Sequence, residues 1–356
     1  MTPPSLLSRF RGCLLAGAVG DALGAPVEFA PLDEIVGRYG PQGPENLEAG
    51  PYPAGSFTDD TQMALFVAEG LIRTFNRQRS GGATPDLTVM LRAHWRWLRT
   101  QGLWPAADID PELLTSWLTD TPGLLQHRAP GTTCVGALQS GELGTLANPR
   151  NDSKGCGGVM RIAPVGLAWT DDPFRFGCEV AALTHGHPSG QLASGCLAQI
   201  IHEIVVGTDL DTAVERAMTE LARHPEHDET LRALERAEAF AVMGGGTPEE
   251  VEALGGGWVA EEALAIAVFC AQVAPDLESA LRLAVTHSGD SDSTGCITGH
   301  ILGALHGVEA IPKRWLDQLE LVDLVDRVAH DLYRAAHDPE ALDANGTYDV
   351  DRYPGV

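Results

Sequence analysis

Apolar residues recur along most of this chain at the three- and four-residue spacing of amphipathic helices, whereas the alternation typical of β-strands is scarce. Breaks rich in glycine and proline separate these stretches, as expected where helices end and loops begin. The stretch 259–273 is apolar on almost every side, which indicates a buried helix. The pattern predicts helices over 5–24, from 58 onwards, and over 84–98, 111–118, 176–183, 189–206, 210–224, 248–254, 259–273 and 312–336.

The longest predicted loop covers residues 121–158 and is rich in glycine, threonine, serine and asparagine. A loop of that length inside a compact domain is usually functional or disordered. It does not mark a domain boundary, because the two most distinctive acidic motifs lie on either side of it. The sequence therefore predicts one mostly α-helical domain over 1–356, with a core at about 6–336 and an irregular C-terminal tail at 337–356.

Those two motifs are short acidic clusters at 56–61 (SFTDDT) and 288–294 (SGDSDST). Each brings two carboxylates and several hydroxyls together in front of an apolar stretch with helical spacing. Oxygen ligands of this kind suit Mg²⁺ or Mn²⁺ rather than zinc or copper. If folding brings the clusters together, their carboxylates have no lysine or arginine within either cluster to neutralise them, so they need cations. The clusters thus predict a metal-dependent hydrolase.

Each cluster also has a simpler explanation. Taken alone, the first is better explained as a helix start, with Ser56 or Thr58 as N-cap and Asp59 and Asp60 in the first turn. However, neighbouring carboxylates on a helix point about 100° apart, so a cap needs only one of them while the pair can reach two cations. The second cluster, taken alone, is a polar turn before a helix.

The second cluster leads into a helix with a glycine at every fourth position. These glycines are Gly295, Gly299, Gly303 and Gly307, and each interior one costs roughly 1 kcal/mol relative to alanine. Glycines on one face predict that another helix packs very close to the backbone. The first helix offers the matching face through Gly17, Gly20 and Gly24. A tight central helix pair that holds the second cluster rigidly is the expected result.

Other segments carry weaker candidate chemistry. Glu28 has an apolar setting that raises the pKa of a carboxyl and suits it to proton transfer, although an isolated glutamate is more often a surface residue. Residues 154–161 (KGCGGVMR) form a glycine-rich segment whose backbone N–H groups can hold a diphosphate, or else a plain turn. Residues 131–133 (GTT) can add donors to it. The histidines of 184–188 (THGHP) either bind zinc or are structural.

The composition is that of an acidic globular protein, because 49 Asp and Glu against 24 Lys and Arg give a formal net charge of −25. This charge argues against nucleic acid as a partner, because nucleic-acid binding needs a basic stripe, and against anionic membrane surfaces.

The seven cysteines are scattered without a CxxC pair, so neither a disulfide framework nor a zinc ribbon is predicted, and reduced thiols fit a cytoplasmic location. Arg9 and Arg11 before the apolar 13–20 imitate a signal peptide, but Asp21 interrupts that stretch. No apolar run reaches the roughly 18 residues of a membrane span.

With these segments assembled, the chain resembles the ADP-ribosylglycohydrolase family, the group of the dinitrogenase-reductase-activating glycohydrolase and the animal ADP-ribosylarginine hydrolases. The paired FTDDT and GDSDSTG motifs are highly specific together, and the matching segments follow the family's order over about residues 6–310. The segments are GCLLAGAVGDALGAPVEF at 12–29, FTDDTQMAL at 57–65, SKGCGGVMRIAPVGL at 153–167, THGHP at 184–188, GWVAEEALA at 257–265 and THSGDSDSTG at 286–295.

The resemblance implies an all-α fold, a compact single-domain orthogonal bundle of many helices with two Mg²⁺ or Mn²⁺ ions at its centre. By this likeness the metal-ligand positions are Thr58, Asp59, Asp60, Asp290, Asp292 and Ser293, and the catalytic positions are Glu28, Asp59 and Asp60. The positions expected to bind substrate are Gly131, Thr132, Thr133, Gly155, Cys156, Gly157, Gly158, Met160 and His185. Cys156 departs from the asparagine or serine often found in this loop, which leaves the backbone donors intact.

The implied reaction is hydrolysis of the N- or O-glycosidic bond between ADP-ribose and a modified protein or small molecule. ADP-ribosyl-arginine is the favoured substrate, since GDSDSTG is closer to the arginine-specific relatives than to the serine-specific ones. One alternative is a non-catalytic ADP-ribose-binding or structural derivative, against which the complete set of carboxylates argues. Another is an amidohydrolase-like zinc enzyme that uses His185 and His187, which requires an α/β barrel and hence a strand pattern that the sequence lacks.

Overall fold

A computed structural model describes residues 3–82 and 86–355, and this part of the chain is α-helical without a β-strand. Isolated bridge pairs, such as Gly155 with Val259, are its only β-type pairings. The all-α prediction is therefore confirmed. The helices are α1 (Leu6–Gly24), α2 (Leu32–Tyr39), α3 (Asp59–Arg79), α4 (Leu87–Thr100), α5 (Thr132–Gln139), α6 (Ala163–Ala168), α7 (Pro173–Ala181), α8 (Pro188–Val205), α9 (Leu210–Leu221), α10 (Asp228–Met243), α11 (Pro248–Leu254), α12 (Ala260–Val273), α13 (Leu277–Ala284), α14 (Ser291–His306), α15 (Lys313–Leu316) and α16 (Val322–His337). Short 3₁₀ helices cover Pro111–Leu114, Pro122–Leu124, Cys156–Gly158, Val308–Ala310 and Pro339–Ala341.

Helices α1 and α14 form the central pair, and their backbones touch along glycine faces. A Cβ atom placed on Gly20 would overlap the backbone of Gly295, and one on Gly303 would overlap the backbone of Gly12. The predicted helix pair is thus confirmed, with Gly12 as a contact that the sequence analysis did not include. The close approach of the two backbones accounts for glycines that would otherwise only weaken a helix.

The remaining helices pack around this pair, and three helix ends that carry polar residues come together. Helix α12 is buried on nearly all sides, as its apolar sequence predicts, and packs against α10, α13 and α14. Helix α3 starts at Asp59 with Thr58 as its N-cap and packs against α4 and α16. The C-terminal end of α1 and the N-terminal ends of α3 and α14 consequently meet inside the molecule.

Some predicted helices differ from the observed ones. The prediction over 111–118 is wrong beyond Pro111–Leu114, because arginine side chains of α4 bind the carbonyl groups that a longer helix would use: Arg96 donates to Leu113 (3.0 Å) and Arg99 to Leu114 (2.9 Å). The predicted helix over 312–336 is divided into α15 and α16, because Leu321 adopts a left-handed conformation with φ 50°.

The predicted loop over 121–158 contains α5, and α2, α6, α10 and α13 were not predicted. Helices α2 and α5 have only eight residues each, too few for a helical period to stand out. Helix α10 lies largely at the surface and buries only Thr230, Leu234 and Ala237. The predicted start of the fourth helix at Thr84 lies outside the described residues.

Residues 338–355 contain no helix longer than Pro339–Ala341, and they pack against the core. Tyr348 and Tyr353 are buried, and both hydroxyls donate to Asp331 of α16, at 2.8 and 2.9 Å. The Asn76 side chain of α3 donates to the carbonyl groups of both tyrosines. The core therefore extends beyond the expected limit near residue 336.

All seven cysteines are free thiols, and six of them are buried. Within residues 3–82 and 86–355, no helix combines the length and the apolar character needed to cross a membrane.

Candidate active site

Asp21 ties the first acidic cluster to the end of α1. Its fully buried carboxylate accepts the N–H groups of Thr58 (2.9 Å) and Thr61 (3.0 Å) and the hydroxyl of Thr61 (2.6 Å). These bonds hold the turn that begins α3, so that the aspartates of the first cluster enter the interior. Asp21 was not predicted as a site residue; its signal was a single carboxylate in the apolar C-terminal half of α1.

Thr58, Asp59 and Asp60 begin α3, and all three side chains are buried. The Thr58 hydroxyl accepts the N–H of Asp60 (3.4 Å) as a helix cap, and Asp59 Oδ2 accepts the N–H of Gly131 (3.2 Å). Asp60 Oδ1 is buried and has no hydrogen-bond partner among the described residues. A buried carboxylate oxygen without a donor is costly unless a cation binds it.

The second cluster begins α14 and faces the first. Gly24, the last residue of α1, lies against the backbone of Ser291, so the start of α14 is held at the end of α1. Carboxylate oxygens of Glu28, Asp290 and Asp292 lie within 4.8 Å of one another. Glu28, which was expected to be catalytic, is therefore also in position to share a cation with the second cluster.

The carboxylates of the two clusters raise each other's pKa values. Burial and then the charge of Asp292 raise the pKa of Asp60 well above its ordinary value. The same two causes raise the pKa of Asp21 to about 7 and that of Glu28 to about 9. Burial also raises the pKa of Asp290 well above its ordinary value, with Asp292 as the next cause. The hydrogen bonds of Asp21 to the first cluster and the contact of Gly24 with Ser291 place both clusters at the end of α1, so clusters from distant parts of the sequence converge, as predicted.

The geometry and charge of the site fit divalent cations. Among the ion pairs of the described chain, none involves a carboxylate of this group, so its negative charge is not balanced by a directly bonded lysine or arginine. Asp59 and Asp60 lie outside the compact set of Glu28, Asp290 and Asp292. Two cations, which two-metal sites generally hold about 3.5–4 Å apart, would neutralise both groups of carboxylates better than a single ion.

The glycine-rich loop contacts the second cluster through Cys156. Its thiol donates to Asp290 Oδ2 (2.7 Å), and its backbone N–H donates to the carbonyl of Trp258 (3.1 Å). The hydroxyl of Ser293 lies 3.5 Å from the sulfur of Cys156 and 3.8 Å from that of Met160. The side chain of Cys156 thus touches the acidic cluster directly.

Gly131, Thr132 and Thr133 lie at the start of α5, between the first cluster and the glycine-rich loop. Gly131 donates to Asp59, as described above, and Thr133 Oγ1 lies 3.0 Å from Ser153 Oγ at the foot of the loop. Thr132 and Thr133 also line a cavity of about 290 Å³. Thr133 is therefore next to the start of the loop at Ser153, whereas the N–H of Gly131 is engaged with Asp59.

The two histidines of the THGHP segment have separate partners. His185 is buried beneath the loop with Nδ1 2.8 Å from Thr184 Oγ1, and burial followed by the charge of Arg161 lowers its pKa to about 3. His187 Nδ1 accepts the N–H of Ser189 (3.1 Å) and caps α8. The zinc hypothesis is wrong, because it requires an α/β barrel and the described fold is all-α.

Two buried arginines near the site were missed by the sequence analysis. Arg161 Nη1 donates to the carbonyl of Gly157 (2.6 Å) and thereby supports the loop from below. The carbonyl of Arg128 accepts the N–H of Asp59 (3.1 Å), and its guanidinium binds Glu320 (3.0 Å). The only signal for Arg161 was an arginine set directly between the glycines and an apolar stretch.

Comparison with known proteins assigns this arrangement to a family. The sequence matches the model of the ADP-ribosylglycohydrolase family over residues 2–341. The chain belongs to this family.

Individual relatives of this chain are distant in sequence but similar to it over most of their length. It is 28% identical to the ADP-ribosyl-[dinitrogen reductase] glycohydrolase of Rhodospirillum rubrum, over 90% of this chain and 93% of the relative. It is 24% identical to the ADP-ribosylarginine hydrolase Tri1 of Pseudomonas putida, over 97% and 83%. A solved structure, described as an ADP-ribosylglycohydrolase-related protein complex, matches with a TM-score of 0.67 and 27% identity over 93% of this chain and 99% of that chain. Family membership supports hydrolysis of ADP-ribose linkages.

Proposed function

We propose that this chain hydrolyses the N-glycosidic bond between ADP-ribose and an arginine side chain, with two Mg²⁺ or Mn²⁺ ions as cofactors. The observation that carries the proposal is the convergence of buried carboxylates from three chain segments without a bonded cationic side chain. Keeping such a group is costly, and a function that needs bound cations explains the cost. The modified partner is an ADP-ribosylated protein or small molecule.

The side chains that would hold the ions are Thr58, Asp59, Asp60, Asp290, Asp292 and Ser293, with Glu28 close to the second cluster. Bound there, the ions supply charge neutralisation and Lewis acidity toward the ribose hydroxyls and the attacking water. The backbone N–H groups of Gly157 and Gly158 hold the diphosphate, since those of Gly155 and Cys156 already donate to Ser153 and Trp258, and an acidic protein thus attracts an anionic ligand locally.

The proton transfer is assigned to Glu28, or else to Asp59 or Asp60. Burial and the charge of Asp292 raise the pKa of Glu28 to about 9 in the metal-free protein, and bound cations would lower it towards neutrality, a range suited to proton transfer to the departing nitrogen as the glycosidic bond breaks. The neighbouring carboxylates stabilise the positive charge that develops on the ribose ring. Asp21 holds Thr58 and Thr61 in place through hydrogen bonds.

The choice of arginine rests on the GDSDSTG motif and on relatives such as Tri1, whose name includes ADP-ribosylarginine hydrolase. Other relatives bear the name ADP-ribosylhydrolase ARH3, so the linkage has to be tested directly. We expect release of ADP-ribose from ADP-ribosyl-arginine in Mg²⁺, loss of this activity in EDTA, and its return on adding Mg²⁺ or Mn²⁺.

Chromatographic detection of free ADP-ribose measures this, with ADP-ribosyl-serine as the competing substrate. Faster cleavage of the serine linkage would overturn the choice of arginine while keeping a hydrolase. Full activity in EDTA would contradict the cation requirement. Binding of ADP-ribose without turnover of either substrate would support the non-catalytic derivative instead.

Glu28→Gln is expected to lower kcat for the preferred substrate by about 10²- to 10³-fold, because glutamine keeps the shape of the side chain but cannot transfer a proton. ADP-ribose affinity and Mn²⁺ affinity, measured by calorimetry, should change by less than about threefold, since the amide oxygen remains a ligand. The matched control is Glu34→Gln on the exposed face of α2, which should leave kcat unchanged. Normal turnover by Glu28→Gln would remove this residue from the mechanism.

A further inference from the structure

A buried guanidinium lies under the glycine-rich loop without a carboxylate partner. Arg161 is fully buried, and no ion pair of the described chain includes it. Besides its bond to Gly157, it donates through Nη2 to the hydroxyl oxygen of Thr184 (2.7 Å). Arginine can only donate hydrogen bonds, so the Thr184 oxygen is the acceptor in this contact. The single hydrogen of the Thr184 hydroxyl must therefore go elsewhere.

Apart from the weakly accepting sulfur of Cys134, two acceptors are within reach of that hydrogen. The Ala181 carbonyl is 3.4 Å away and already accepts the backbone N–H groups of Thr184 (3.0 Å) and His185 (2.9 Å). The Nδ1 atom of His185 is 2.8 Å away. Because the carbonyl has both lone pairs engaged and lies farther off, the hydroxyl hydrogen is directed to Nδ1.

This contact determines which ring nitrogen of His185 carries a hydrogen. The ring is buried next to the Arg161 charge, so a second positive charge on His185 would be strongly opposed and the imidazole is neutral. With Nδ1 as acceptor, the hydrogen of a neutral imidazole is on Nε2. The Arg161 guanidinium thus determines the His185 tautomer through Thr184.

The Nε2 atom of His185 faces the space under the loop. It makes no hydrogen bond to any residue in 3–82 or 86–355. A Cβ atom placed on Gly155 would lie 3.5 Å from Nε2, and one placed on Gly157 would lie 3.4 Å from it. The absence of side chains at these two positions keeps the donor accessible from the loop.

We propose that Arg161 is a positioning residue: acting through Thr184, it holds His185 as the Nε2–H tautomer and so presents a hydrogen-bond donor to an anionic group of the ligand in the glycine-rich loop. The part that concerns the ligand rests on the proposed function. The tautomer is a property of the ligand-free protein and can be measured independently.

The test uses the full chain labelled with ¹⁵N at histidine, in the wild type and in Thr184→Val and Thr184→Ser, with His185→Gln to assign the signals. Long-range ¹H–¹⁵N correlation spectra identify which ring nitrogen carries the hydrogen. We expect the Nε2–H form in the wild type and in Thr184→Ser, and a mixture of tautomers in Thr184→Val, which lacks the hydroxyl. If Thr184→Val only loosened the packing around His185, the tautomer would not change in this variant alone.

Calorimetry with ADP-ribose supplies the second measurement. Thr184→Val should bind about five- to tenfold more weakly, as expected when one hydrogen-bond donor loses its orientation, and Thr184→Ser should remain within about twofold of the wild type. An Nδ1–H tautomer in the wild type would overturn the proposal, as would a Thr184→Val spectrum identical to it. If the wild type binds no ADP-ribose, the proposed function fails, while the ligand-free spectra still decide the tautomer.

Discussion

Asp60→Asn is expected to lower kcat/KM by about 10³-fold or more and, at the same time, to raise the melting temperature of the metal-free protein. Asparagine has the shape of aspartate but lacks the charge that binds a cation. The same charge is unfavourable without metal, since burial and the charges of Asp292, Asp21 and Asp59 all oppose ionisation of Asp60. Removing it therefore relieves repulsion in the apo protein, by a few degrees in melting temperature.

Opposite effects on activity and apo stability distinguish a site residue from a structural one, whose loss lowers both. Turnover of ADP-ribosyl-arginine, Mn²⁺ calorimetry and thermal unfolding in EDTA measure them together. The matched control is Asp108→Asn, an exposed aspartate in the loop after α4, which should change none of the three. If the Asp60→Asn protein had wild-type activity and metal affinity, the assignment of the acidic group to cation binding and hydrolysis would be wrong.

Much of the candidate site could be predicted because its residues have unusual local sequence. FTDDT and GDSDSTG each concentrate carboxylates and hydroxyls before a helix, and glycines beside the second motif indicate where it packs. Asp21 and Arg161 gave no comparable signal, since each is a single charged residue in an apolar context. What makes them important is the partner each one meets, Thr58 and Thr61 for Asp21 and Thr184 for Arg161, and those pairs are distant in sequence.

The fold likewise has parts that could be predicted from the sequence and parts that could not. The buried helix α12 and the pair α1–α14 could be predicted from local sequence. A stretch that is apolar on almost every side indicates a buried helix, and a glycine at every fourth position indicates close helix packing. The helix predicted over 111–118 failed because Arg96 and Arg99 bind its carbonyl groups from another helix, an effect of tertiary structure that no local pattern records. The short helix α5 was hidden in a stretch whose glycines and threonines are typical of loops.

Gly299→Ala is expected to lower the free energy of unfolding by about 3 kcal/mol or more. Alanine is the better helix former, so propensity alone predicts a gain. The added Cβ would overlap the backbone of Ala16 and Gly17 across the helix pair, and backbone cannot move aside as a flexible side chain can. Separating α1 from α14 would also separate Asp21 from Asp292, so activity should fall even at temperatures where the protein remains folded.

The control for this prediction is Gly37→Ala in α2, where an added Cβ would have no atom within 4 Å. There the helix propensity acts alone, and the stability should stay level or rise by up to about 1 kcal/mol. Urea unfolding measured for both variants separates the two effects, because the chemical change is identical and only the surroundings differ. Equal stability changes at the two positions would contradict the close helix contact, and with it the rigid support that places both acidic clusters at one site.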